Sequence, residues 1–325
     1  MKRGKVWIAA VVLFALFLVA CGTAAIHRQT VIRHATDDVG HVLGFAILAV
    51  LVAEFARNSN LVHSAVETSF KHRHLPWLLG FGVVAIVGGG IEVLQQFSVN
   101  RSARWSDFGR DCQGAAMGLL LWAAVRNRSD RLLGWKRIVL VSLALVLLAA
   151  AIKPWLQVCY AYYRRTQILP VVFQAENALM SAFVVSRATY WTPAPPPPYW
   201  PRKTDQLFRL ELLPDAEYAG IGIHEPVPDW SAYQSFCFEI WLEGESPIEL
   251  VIRIHDDSHD DEWEDRFNRK LIIQPGYQIV RISMDDIASG PQHRQLDVTR
   301  VFGIGLYADH PTKSNLVWLD RMWLE

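Results

Sequence analysis

Five apolar runs, at residues 6–26, 40–55, 77–97, 107–125 and 138–152, decide what the first half of this chain can fold into. A helix crossing a bilayer needs about 20 mostly apolar residues, and in hydrocarbon it must satisfy its backbone polar groups internally. The runs therefore read as transmembrane helices, the second and fifth drawing on their flanks for length. The first has a competing reading, because basic Met1 to Lys5, an apolar stretch and Leu18-Val19-Ala20-Cys21 resemble a lipoprotein signal. Lys153-Pro154 is expected to end the fifth helix. Trp155, Tyr160, Tyr162, Tyr163, Arg164 and Arg165 then have the character of an aromatic and basic interface anchor.

Lysine and arginine set the orientation. Lys2, Arg3 and Lys5, then Arg57, Lys71 and Arg73, then Arg126 to Arg137 fall on one side, and the opposite loops hold fewer basic residues. This asymmetry makes the N-terminus cytoplasmic and the C-terminal half extracytoplasmic, in an integral protein of the cell (inner) membrane. The formal net charge of zero argues against nucleic acid as a partner. Four scattered cysteines, with no CxxC, give no disulfide or zinc framework.

Polar residues collect at the extracytoplasmic ends of the runs: Asp37, His41, Glu92, Gln95, Gln96, Arg101, Arg104, Asp107 and Asp111. Gly88, Glu92 and Gln95 share one helical face, as do Asp107, Asp111, Gly114 and Gly118. Gly114–Gly118 and Gly40–Gly44 have the GxxxG spacing that lets helices approach closely. The charges thus share a face with the packing surface, where ionisable groups mark a functional site or an interhelical network. Residues 6–126 resemble the VanZ-like family of small integral membrane proteins. Asp37, His41 and Phe45 match one of its motifs, Glu92 with Gln95 or Gln96 a second, and Arg101, Ser102, Asp107, Gly114 and Gly118 a third. Asp38 stands where that family has Lys, and Asp111 where it has Asn. The resemblance implies cell-envelope biology, including glycopeptide-antibiotic tolerance in some members; the polar mouth itself is expected to take a membrane lipid or glycolipid headgroup, with Arg101 and Arg104 meeting phosphate.

From about residue 168 the period changes from helical to alternating. Strands are expected at 206–212, 219–224, 236–242, 248–254, 270–273, 278–284, 300–307 and 316–324, with a first strand near 171–176 and turns at Glu243-Gly244 and Gln274-Pro275-Gly276. The fold class is therefore an α-helical transmembrane bundle of five helices followed by an all-β jelly-roll sandwich. The domains are a membrane domain over 1–126, a fifth helix with interfacial linker over 127–167, and a sandwich over 168–325.

In the β half, Trp263 amid charges is the best sugar-stacking candidate, with Trp230, Arg266 and Asp265 as further glycan-binding candidates. The acidic loop from His255 to Asp265 reads as solvated, although clustered carboxylates are also what calcium takes. This half resembles galactose-binding-like jelly rolls of carbohydrate-binding modules, through Phe173 to Glu176, Asp229-Trp230-Ser231 and the last strand with Asp320. That resemblance implies a structural calcium at Glu176 and Asp320 and an envelope polysaccharide or glycolipid as partner. The leading expectation is a membrane-anchored glycan binder. The alternatives are an enzyme on a lipid-linked envelope substrate, using His41, Glu92 and Asp107, or a module docking another envelope protein. No nucleophile elbow, metal triad or phosphate loop supports the enzyme.

Overall fold

The computed structural model describes residues 10–17, 19, 30–58, 69–97, 104–126 and 134–325, without the side chains of 69–73. Residues 10–17 are helical; the rest of the 6–26 run apart from Val19, with Cys21, lies outside the described residues, as do Arg101 and Ser102. The chain forms two compact units, Met1–Leu156 and Gln157–Glu325.

The first unit is built from α1 (Val31–Asn58), α2 (Ser69–Gln95), α3 (Trp105–Arg126) and the start of α4 (Gly134–Gln167). Three helices, Val31–Asn58, His74–Gln95 and Gly134–Gln167, are long and apolar enough to cross a membrane, with mean hydropathies of 2.1, 2.0 and 2.3. Two boundaries correct the sequence reading. α1 starts before Gly40, at Val31, so Asp37 and Asp38 lie within the helix. Their charges interrupt apolar periodicity without interrupting backbone hydrogen bonding. α4 runs through Pro154 to Gln167. A proline removes one intrahelical donor, and here the apolar residues on both sides continue the helix across it.

The helices pack through small residues. A Cβ at Gly114 would collide with the backbone of Val42, and one at Gly118 with that of Ala46, so the GxxxG pair of α3 is the seam against α1. A Cβ at Gly80 would meet the carbonyl of Ala49 at 2.9 Å. Gly40, by contrast, meets nothing within 4 Å among the described residues. Phe45, Leu48, Val84, Ile91 and Leu119 fill the centre.

The second unit is an antiparallel β-sandwich of β1 (Val171–Gln174), β2 (Val184–Arg187), β3 (Thr189–Ala194), β4 (Leu207–Leu212), β5 (Tyr218–His224), β6 (Ser235–Leu242), β7 (Ile248–Asp256), β8 (Phe267–Ile273), β9 (Gly276–Ser283), β10 (Val301–Asp309) and β11 (Asn315–Leu324). One sheet has the order β3-β4-β11-β6-β9, with β1 also on β11; the other is β2-β5-β10-β7-β8. Alternating residues of both sheets point inward: Phe236, Phe238, Ile240 and Leu242 from one, Leu250, Ile252 and Ile254 from the other, all buried. Each such side chain contributes about 1.5–3 kcal/mol of burial. Gly276, at φ +89°, makes the tight turn between β8 and β9. The last turns of α4 belong to this unit: Tyr162 stacks edge-on against Phe183 at 5.1 Å and hydrogen-bonds Glu225, and Arg165 bonds the Glu225 carbonyl. These two residues of the expected interface anchor are therefore seated on protein.

Candidate binding cleft

The five-stranded sheet presents an open outer face, and its register shows how. Val185 pairs with Gly222, Gly222 with Gly305, Gly305 with Arg253 and Arg253 with Asn268, so these residues form one row across all five strands. The next row on the same face is Arg187, Gly220, Tyr307, Val251 and Lys270. Glycines at period two in Gly220-Ile221-Gly222 and Gly303-Ile304-Gly305 keep the floor low while the isoleucines between them enter the core. Into the space above the glycines lie Tyr307, whose hydroxyl would be 2.8 Å from a Cβ at Gly222, and Arg253, whose Nε would be 2.6 Å from one at Gly305.

The resulting cleft has a volume of about 500 Å³ and is lined by Arg187, Tyr218, Arg253, Trp263, Arg266 and Tyr307 among others. Arg253 stacks over the Tyr307 ring at 4.7 Å, and Arg266 over the Trp263 ring at 5.3 Å. Arg266 Nε also donates to Asn268 Oδ1 at 3.1 Å. Burial, and then the neighbouring charge of Arg253, push the Arg266 guanidinium below its ordinary value. His224 is lowered by the same two causes in the same order. His255, farther along the sheet, is pushed by burial down to about 4.

The loop carrying Trp263 is tied down by Arg294. Its Nη2 meets Asp256 Oδ1 at 2.9 Å and Asp265 Oδ2 at 2.9 Å, and His259 Nδ1 lies 3.3 Å from Asp265 Oδ2. The Arg294 guanidinium holds the Asp265 carboxyl far below the usual carboxylate range. His259, Asp260 and Asp265 have the donor set of a cation site, with ligand atoms within 4.8 Å of one another. At Asp265, however, Arg294 already supplies the positive charge. The loop is thus an ion-paired strap that positions Trp263 at 43% exposure.

Of the four glycan candidates, the cleft unites Trp263 and Arg266. Asp265 lies behind them in the Arg294 network. Trp230 is corrected: it is 0% exposed, stacked on Phe236 at 5.3 Å, with its indole N–H donating to the Val227 carbonyl. A large apolar ring whose one polar atom finds a local carbonyl is core. Glu176 accepts from Asp205 N–H at 2.9 Å and from Thr204, while buried Asp320 is ion-paired with Arg202. The sequence reading missed Tyr307, Arg253 and the paired Gly-Ile-Gly segments, although period-two glycine in two strands was visible.

In the helical unit, several of the expected polar residues do meet. His41 Nδ1 is 2.8 Å from Asp111 Oδ1, and the Arg104 N–H donates to Glu92 Oε2 at 2.6 Å. Arg110 bridges Asp107 at 2.5 Å and Asp38 at 2.9 Å. Among the described residues, buried Glu92 Oε1 and Asp111 Oδ2 have no hydrogen-bond partner. Gln95 is buried, Gln96 is in an exposed turn, and Asp37 is half-buried on α1. A second polar knot, centred on Glu54, takes hydrogen bonds from Asn58 and Trp122 at 2.9 Å each, and pairs with Arg126.

No family model matches the chain, and no curated protein does. The VanZ-like resemblance of the helical half therefore rests on its motifs alone. Among solved structures the chain is similar to an exo-β-agarase, at 17% identity and a TM-score of 0.39, covering 48% of this chain and 24% of that one. It is also similar to the family 11 carbohydrate-binding module from Clostridium thermocellum in complex with a β-1,3-1,4-mixed-linked tetrasaccharide, at 17% identity and 0.37, covering 47% and 93%. A third is a carbohydrate-binding module specific for non-crystalline cellulose, at 11% and 0.34, covering 49% and 94%.

Proposed function

We propose that this chain is a membrane-anchored cell-envelope protein whose outer sandwich binds a glycan. The observation that carries the reading is the cleft on the five-stranded sheet. Trp263 and Tyr218 offer apolar rings for sugar faces, and Arg253 and Arg266, the first backed by the buried Tyr307, offer hydrogen-bond donors beside them. A volume of about 500 Å³ suits an oligosaccharide segment. For the anchor, the support is the three long apolar helices, with side chains such as Leu78, Ile86, Ile138 and Val146 exposed. The test is affinity electrophoresis of the full chain in detergent against a panel of soluble polysaccharides. Retardation by at least one, lost in Trp263→Ala with the fold intact, is expected.

A second reading concerns the polar end of the helical unit, and the unpartnered Glu92 Oε1 and Asp111 Oδ2 favour it. A buried carboxylate oxygen without a donor is costly, so this end is a candidate for an envelope lipid or glycolipid headgroup, and for any effect on glycopeptide tolerance. Glu92→Gln that keeps the protein folded yet abolishes lipid binding supports it; a variant that only unfolds makes the cluster structural. Calcium at Glu176 and Asp320 has to displace Arg202, so its test is calcium titration of Arg202→Ala beside the native chain.

A further inference from the structure

Arginines in the sandwich divide into two groups. Arg202, Arg269, Arg281, Arg294, Arg300 and Arg321 each meet a carboxylate. Arg187, Arg209, Arg253 and Arg266 meet none among the described residues, and of these four, three line the cleft. Among the described residues the one carboxylate lining it is Asp261, whose side chain is fully exposed, 4.0 Å from His259 and near enough for its charge to act on Arg266. The cleft therefore holds three guanidinium charges against one carboxylate. Among the described residues, Arg253 Nε is buried without a hydrogen-bond partner. Both inner guanidinia lie over aromatic rings, and Arg253 Nη2 also reaches the Tyr307 hydroxyl at 3.4 Å, so their positions are held while donors remain for a ligand.

We propose that the glycan this cleft takes is acidic, with a carboxylate or sulfate ester of one sugar seated between Arg253 and Arg266 while a neighbouring ring lies on the exposed Trp263. The inference rests on the glycan-binding reading and names its substrate class. An oxyanion between the two arginines relieves their mutual repulsion and supplies acceptors that a neutral sugar hydroxyl supplies less strongly. Arg187, exposed at the edge strand, extends the positive strip along the chain direction of the ligand.

The experiment is calorimetric titration of the full chain in neutral detergent with three probes: oligogalacturonate, a sulfated galactan oligosaccharide and a mixed-linkage β-glucan oligosaccharide. The acidic probes are expected to bind at least about tenfold more tightly than the glucan, with an affinity that falls as salt rises. Which acidic probe wins distinguishes uronate from sulfate. Arg253→Gln and Arg266→Gln are expected to remove that preference, and Arg187→Gln, at an exposed position, to weaken it if the inner variants lose their fold. Arg209→Gln, an unpaired arginine outside the cleft, is expected to change nothing; equal loss there means non-specific polyanion binding and overturns the proposal. Equal or tighter binding of the neutral glucan, lost in Trp263→Ala but kept in Arg253→Gln, overturns the acidic inference and leaves the glycan reading standing. Binding of no probe overturns both.

Discussion

On the six-stranded sheet, Glu239 and Asp320 have side chains only 1% and 0% exposed, and Arg202 and Arg321 lie against them. Tyr277 adds a hydrogen bond to Glu239 at 2.9 Å, and its own hydroxyl is pushed up to about 12 by burial and by that carboxylate. On the five-stranded sheet, Arg187, Arg253 and Arg266 stand over a glycine floor with one exposed carboxylate in reach. The same residue type therefore closes one side of the sandwich and opens the other. Internal pairing uses up the charge of Arg202 and Arg321 on the first side, and Arg187, Arg253 and Arg266 on the second keep theirs for a partner. Charged groups that the fold does not neutralise itself are where a ligand is to be sought.

The largest effect that sharpens this contrast is expected at Arg202. Arg202→Ala leaves buried Asp320 without a cation, while Glu239 keeps Arg321, and costs about 3 kcal/mol of stability, read as a lower urea midpoint. If the midpoint holds, the six-stranded side is not closed by pairing. Next comes the glycine floor. A Cβ at Gly220 would collide with the Leu306 carbonyl and the Tyr307 backbone, so Gly220→Ala is expected to cost about 1–3 kcal/mol. For Gly222→Ala the one tight contact is the Tyr307 hydroxyl at 2.8 Å, the Ile304 carbonyl lying at an ordinary 3.5 Å; it should alter glycan affinity more than melting temperature, and the reverse outcome would assign Tyr307 a packing role.

A smaller effect comes from His255. Its folded value is down to about 4 against an ordinary 6.5, so the unfolded chain binds a proton that the folded chain refuses between those values. Stability from this group is complete above pH 6.5 and is lost as pH falls toward 4. His255→Gln should flatten melting temperature against pH in that window; an unchanged slope removes His255 as the cause. The smallest stability effect is expected at Arg187, an exposed cleft residue without an ion pair. Arg187→Gln should stay within about 0.5 kcal/mol, while weakening any acidic ligand.

Much of the architecture was legible in the sequence. The alternation in Phe236 to Leu242 and Ile248 to Ile254 marks β6 and β7 because a half-buried strand must alternate, and Gly114–Gly118 marks the α1–α3 seam because only small residues let backbones touch. The start of α1 was not, since Asp37 and Asp38 hide helix from a hydropathy pattern. β2 and β3 also escaped: Val184–Arg187 and Thr189–Ala194 are short edge strands carrying exposed residues and, in β3, a proline. Trp263 and Arg266 stood out by their charged setting. Tyr307 and Arg253 did not, because their meeting depends on β10 pairing with β7, a contact between residues 54 positions apart. Trp230 misled because a tryptophan near Asp and Ser looks exposed until its ring is seen against Phe236.

The most direct test of the central claim is titration of the full chain in detergent with acidic and neutral oligosaccharides, side by side with Trp263→Ala and Tyr307→Ala. Saturable binding of at least one probe by the native chain, lost in both variants while their melting curves stay cooperative, is the predicted result. A well-folded native chain that binds none of them, or binding that survives both substitutions, contradicts the assignment of the cleft as a glycan site.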